Sequence, residues 1–139
     1  MRIIKIKITI FILFLIFFNN SINAENKTKI IAKIGDEIIT NFDVENKIKT
    51  NLFLSGEEIN QENVDKIKSF TLKSLVNLKL KSNEIKKHNI GSNDLAINQY
   101  LNSVKKNLKM SEMDLIVQFQ AYGLNYDQFL KDIETEFLW

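Results

Sequence analysis

Five times along the chain, a residue with a short hydroxyl or amide side chain stands just before a run of apolar residues spaced three and four apart. No proline interrupts any of these runs. Thr40, Asn60, Ser92, Ser111 and Asn125 are the five. Such residues accept a hydrogen bond from an otherwise orphaned amide in the first helical turn, so each marks a helix start. Apolar spacing of three and four places side chains on one helical stripe. Where caps and periodicity agree repeatedly, the chain is committed to a mainly α fold of about five helices.

The segments follow in order. Thr40 with Asp43 three residues on forms a capping-box pair ahead of Phe42, Val44, Ile48 and Leu52, and Ser55-Gly56-Glu57-Glu58 breaks that run. Asn60 opens a long second helix with Glu62 in its first turn, where the helix dipole favours negative charge. Val64, Ile67, Thr71, Leu75, Leu78 and Ser82 form its stripe, and Phe70, Leu72, Val76 and Leu80 widen the apolar surface. A helix this apolar is expected at the centre of the fold. Asn89 can end it in the left-handed conformation. Ser92 precedes a third helix through Leu95, Ile97, Leu101, Val104 and Leu108. Ser111 with Asp114 precedes a fourth that ends at Tyr122-Gly123. Asn125 opens the last, with Tyr126, Phe129, Ile133 and Phe137 on one face. Ahead of the helices, two short Ile-rich runs, residues 30–34 and 37–40, flank Gly35-Asp36 and predict a β-hairpin. A lone hairpin is marginal in water and needs a partner.

The first 24 residues read differently. Arg2, Lys5 and Lys7 precede an uncharged apolar run over residues 8–18, and a short polar stretch ends at Ala24. This is the three-part layout of a secretory signal peptide cleaved after Ala24, although Ile22 is bulkier than the small residue preferred two positions earlier. The rival reading is an uncleaved membrane anchor. The run of 11 residues is short of the ~20 that span a bilayer, so no stable membrane insertion is expected after cleavage. The domain expectation is therefore a signal peptide at residues 1–24 and one helical domain at residues 25–139. The full chain carries 19 basic and 17 acidic residues. Three basic residues and the only Arg lie in the leader, leaving 16 basic against 17 acidic, a net charge of −1. A near-neutral chain without Arg lacks the basic face that phosphate backbones require, which argues against nucleic acid.

Little in the composition supports catalysis. The chain has no Cys and one His, which removes thiolate metal sites, thiol nucleophiles and two-His metal sites. No metal or cofactor is expected, and no catalytic residue is assigned. His88 falls in the last turn of a helix, where a cation suits the dipole. Glu57-Glu58, Asp127 and Asp132-Glu134-Glu136 read as solvated faces of amphipathic helices, as do Lys86-Lys87 and Lys105-Lys106. The aromatic residues are more informative. Phe119, Tyr122, Tyr126 and Phe129 straddle one helix–helix junction, with Met110 and Met113 close by in sequence. Core packing is one reading. The other is an apolar surface of Met113, Phe119, Tyr122, Tyr126 and Phe129 that receives segments of other proteins.

The ordered motifs resemble the N-terminal module of the SurA-type periplasmic chaperones. The run Ile30-Ile31-Ala32-Lys33-Ile34-Gly35-Asp36-Glu37-Ile38-Ile39-Thr40 resembles their strand, turn, strand and Thr/Ser cap. Residues 72–90 resemble their central helix. Met110-Ser111 onward to Phe119, then Ala121-Tyr122-Gly123-Leu124-Asn125-Tyr126 to Phe129, resembles their fourth and fifth helices, with Gly123-Leu124-Asn125-Tyr126 the most specific element. Asn89 stands where the family usually has Gly, His88 where an apolar residue is common, and Lys81 where Leu is frequent. These departures touch packing detail only.

The resemblance implies an ATP-independent periplasmic chaperone module that binds unfolded outer-membrane protein segments without a cofactor. Family members normally continue into parvulin-type prolyl isomerase domains and a segment that folds back on this module. The last helix here ends on Phe137-Leu138-Trp139, so the chain reads as a module cut short. Two alternatives follow: the non-catalytic N-terminal part of a prolyl isomerase, and a membrane-anchored relative that keeps its first segment. Apolar surface left uncovered on the hairpin and last helix predicts self-association or marginal stability.

Overall fold

The computed structural model describes residues 27–91 and 94–139. The expected signal peptide and the Ser92 cap lie outside these described residues. The described residues form a two-stranded hairpin followed by five helices: β1 (Ile30–Ile34), β2 (Glu37–Thr40), α1 (Asn41–Ser55), α2 (Gln61–His88), α3 (Asp94–Leu108), α4 (Glu112–Ala121) and α5 (Tyr126–Leu138).

The hairpin turns where the sequence places its glycine. Gly35 adopts φ 57°, and Ile34 pairs with Glu37 across a two-residue loop, so positive φ falls at the first loop position, as II′ turns require. Lys33 pairs with Ile38, Ala32 with Ile39 and Ile30 with Thr40, so a bulge leaves Ile31 without an opposite residue. One face packs inward: Ile39 is fully buried, and Ala32 and Ile34 join the same cluster.

Thr40 ends β2 and caps α1 in one step. Its hydroxyl accepts from the Asp43 amide at 3.2 Å, and the Asp43 carboxylate accepts from the Thr40 amide at 2.7 Å, completing the capping box. Asn60, Ser111 and Asn125 each accept from the amide three residues on, as their side chains predict. Gly56 at φ 72°, Asn89 at φ 48° and Gly123 at φ 65° take the left-handed conformation that stops α1, α2 and α4. Lys109, at φ 54°, does the same after α3, where no Gly or Asn announces it.

The described residues form two buried clusters. The first is aliphatic: Ile39, Val44, Ile48, Leu52 and Leu75 beneath the hairpin. The second is rich in aromatics: Val104, Leu115, Phe119, Leu124, Phe129 and Ile133, built from α3, α4 and α5. Helix α1 serves both. Leu52 lies in the first, and its neighbour Phe53 packs against the second. Each fully buried side chain of this size contributes roughly 1.5–3 kcal/mol relative to exposure.

Helix α2, about 42 Å long at 1.5 Å per residue, packs against the hairpin, α1 and α5, which makes it central as its apolar content implies. Its apolar surface is narrower than the residue pattern predicts. Thr71, Leu75, Leu78 and Ile85 are buried, but Phe70 is 70% exposed and Leu80 is half exposed. Neighbours cover one side of α2, and Phe70 and Leu80 face away from them.

Candidate functional site

Five rings gather where α1, α4 and α5 meet. Phe119 is fully buried at their centre. Phe53 and Tyr126 stand edge-on to it with centroids at 5.4 and 5.2 Å, and Phe129 lies tilted at 5.1 Å. Such arrangements place the positive edge of one ring against the negative face of another. Tyr122 extends the cluster outward, its ring tilted against Phe53 with centroids 5.5 Å apart. It remains half exposed, while Phe129 is buried and Tyr126 partly so.

The turn after α4 sets this gradient from buried to accessible. Left-handed Gly123 reverses the chain, and the Leu124 amide donates to the Phe119 carbonyl at 2.7 Å. Leu124 is thereby tucked into the core, and Tyr122 stays at the rim. The Asn125 amide donates to the Asn46 side-chain oxygen at 2.8 Å, which fixes the start of α5 against α1. Burial pushes the Tyr126 hydroxyl above its ordinary pKa, with a smaller push from the Glu112 carboxylate.

The five expected surface residues divide three ways. Phe119 and Phe129 are core residues, because the junction closes over them. Tyr122 and Tyr126 line the rim. Met113 is 68% exposed but sits apart: with Val117, four residues on, it occupies the side of α4 opposite Phe119. The structure therefore joins four of the five and leaves Met113 on a separate apolar strip. Phe53, which the α1 stripe did not single out, is the ring that carries the cluster out to Tyr122.

The charged residues correct one reading. Asp132 is not on a solvated face. It is buried, and its carboxylate accepts from Lys47 Nζ at 2.6 Å and from Gln128 Nε2 at 2.8 Å. Glu136 pairs with Lys81. Glu37 on β2 receives Lys79 at 3.1 Å and also Lys86, so two lysines of α2 clasp the hairpin. These hydrogen bonds, from Lys86 first and then Lys79, hold the Glu37 carboxyl below its ordinary range. The paired charges wall a cleft of about 630 Å³ between hairpin, α1, α2 and α5, lined in part by Leu75, Leu78 and Ile85. His88 is exposed in the last turn of α2, 3.9 Å from Glu84, as its sequence position suggests.

Among the described residues, no cluster of His, Asp or Glu could hold a metal ion, and no helix is long and apolar enough to cross a membrane. The described architecture is thus a small helical module with a clasped hairpin and an aromatic rim. The family model of the SurA-like N-terminal domain matches residues 1–139, the whole chain, and the protein belongs to that family. Membership places it with SurA-like chaperone modules, a periplasmic family whose members are associated with peptide or protein clients. No curated protein and no solved structure matches the chain.

Proposed function

We propose that the protein is an ATP-independent periplasmic chaperone module that holds unfolded outer-membrane protein segments and assists their folding or delivery. In this reading residues 1–24 are an export signal cleaved after Ala24, and residues 25–139 are the working module. The observation that carries the proposal is the aromatic gradient. Phe119 and Phe129 form a rigid floor, and Phe53, Tyr122 and Tyr126 present ring surface above it in a chain of the SurA-like family. Rings on a packed floor bind apolar side chains with little loss of conformational freedom. Tyr hydroxyls keep such a surface wetted and soluble when empty.

Light scattering from a diluted, unfolded outer-membrane β-barrel protein tests this. The purified chain should suppress aggregation, and Tyr122→Ser should lose most of that effect. Met113→Ser separates the rim from the outer strip of α4, since a loss there equal to that of Tyr122→Ser would move the binding surface. Absence of suppression by the unaltered chain would overturn the chaperone reading. Mass analysis of the exported protein tests the leader: a chain beginning at Glu25 supports cleavage, and an intact Met1 supports the membrane-anchored alternative.

A further inference from the structure

Helix α2 presents a short basic ridge. Lys66, Phe70 and Lys73 stand at steps of four and three, so they share one face. Phe70 is 70% exposed, and both lysines are exposed without an ion-pair partner among the described residues. A groove of about 590 Å³ between α3 and α5 has the opposite charge. Ile97, Leu101, Tyr126 and Leu130 give it an apolar floor, and Asp94, Glu112, Asp127 and Glu134 line it with carboxylates. Lys131 is the one cation among its lining residues. Lys105 neutralises Glu112 at 3.2 Å. Asp94, Asp127 and Glu134 have no ion-pair partner among the described residues. The groove thus keeps an excess of negative charge around an apolar floor.

We propose that the ridge on α2 of one copy docks antiparallel into the α3–α5 groove of a second copy of this chain. Charge and register together select this occupant. Read backwards along α5, Glu134, Leu130 and Asp127 are also separated by four and three, the spacing of Lys66, Phe70 and Lys73. An antiparallel approach therefore sets Lys66 against Glu134, Phe70 against Leu130 and Lys73 against Asp127. On each helix the two charges lie seven positions apart, about 10.5 Å at 1.5 Å per residue, so both ion pairs form together. Ser69 falls opposite Lys131, so the groove's cation meets a hydroxyl and not a like charge. Phe70 enters beside Ile97, Leu101 and Leu130 and leaves water. Ridge and groove are different patches, so the contact is heterologous, and copies add head to tail into rings or open chains. The groove shares Tyr126 with the aromatic rim, but the contact needs no client and stands independently of the function proposed above.

Analytical ultracentrifugation of the purified chain over a range of concentrations tests the proposal. The average mass should rise with concentration at low salt and fall back as added salt screens the pairs. Lys66→Glu/Lys73→Glu and Asp127→Lys/Glu134→Lys should each weaken association at least ~10-fold, or ~1.4 kcal/mol, with circular dichroism confirming the fold. Mixing the two variants should restore association. The acidic ridge of the first then meets the basic groove of the second, and the unaltered ridge and groove still match. Phe70→Ser should weaken association as well. A chain that stays monomeric throughout would overturn the proposal. So would a mixture that associates no better than either variant alone. Association that neither charge reversal weakens would also overturn it, by moving the contact to the apolar hairpin or the end of α5.

Discussion

The two buried clusters share helix α1 but end differently at the surface. The aliphatic cluster is lidded by the hairpin, and ion pairs of Glu37 with α2 close its margin. Among the described residues the aromatic cluster has no comparable lid: its rings run from buried Phe119 through Phe53 to half-exposed Tyr122. Branched aliphatic side chains fill space but offer little once a face is closed. Rings hold each other by edge and face contacts and can be rigid while partly in water. One region thereby fixes the hairpin, and the other, in the function proposed above, meets apolar side chains of a client.

The largest expected effect comes from removing the central ring. Phe119→Ala should destabilise the protein by about 3–5 kcal/mol, and Leu52→Ala in the other cluster by about 2–5 kcal/mol, by urea denaturation. Because Leu52 and Phe53 are adjacent on α1, neither cluster should unfold alone. Trp139 fluorescence at the end of α5 and far-ultraviolet circular dichroism should therefore follow one transition in both variants. Separated transitions would break the comparison by making the clusters independent units.

Next in size is the ion pair between α1 and α5. Asp132→Ala leaves the Lys47 ammonium without its carboxylate in a site where both side chains are mostly buried. A cost of about 2–3 kcal/mol is expected. The double substitution Lys47→Met/Asp132→Leu should recover most of it, since apolar groups of similar size remove the stranded charge. Failure of the double variant to recover would mean that the pair does more than neutralise itself.

How much of this was legible follows from how local each cause is. The hairpin and its bounds depend on Gly35 and alternating isoleucines, and the helix starts on Thr40, Asn60, Ser111 and Asn125, so residue type alone reveals them. The left-handed stop at Lys109 carried no such signal. Phe53 escapes the sequence pattern because it sits beside the Val44, Ile48, Leu52 stripe rather than on it, and one stripe describes a helix with one partner. Asp132 looked solvated because its neighbours Glu134 and Glu136 do. It sits three residues after Phe129, on the packed side of α5, and its partner Lys47 is 85 positions away. Of the candidate site, the junction was legible, but the sorting of its rings into floor and rim was not. That sorting depends on which neighbours close over each ring.

A smaller effect is expected where strand meets helix. Thr40→Ala removes the hydroxyl that accepts from the Asp43 amide and donates to the Asp43 carboxylate, which then keeps only its bond from the amide of residue 40. A loss of about 1 kcal/mol should appear in the denaturation midpoint. Thr40→Ser keeps the oxygen and should cost less. Equal losses in both variants would shift the cause from capping to packing of the Thr40 methyl group.

The smallest effect is also the most diagnostic for the hairpin clasp. Hydrogen bonds from Lys86 and then Lys79 lower the Glu37 carboxyl below its ordinary value of 4.5 in the folded chain. A depressed folded value stabilises the fold above the unfolded value and ceases to do so as pH falls through the folded one. Stability should therefore decline below about pH 4.5. Glu84 and Asp114 are lowered as well, by Lys87 and by Ser111, so the acid limb of the unaltered protein is shared. The difference between that protein and Glu37→Gln isolates the clasp. The variant should be less stable near neutral pH, and the gap should close in acid as Glu37 takes up its proton. Hydrogen exchange at the β1 amides, followed across the same range, should rise in the unaltered protein as the gap closes. Exchange that stays constant while stability falls would detach the hairpin from the clasp and return its anchoring to Ile34 and Ile39 alone.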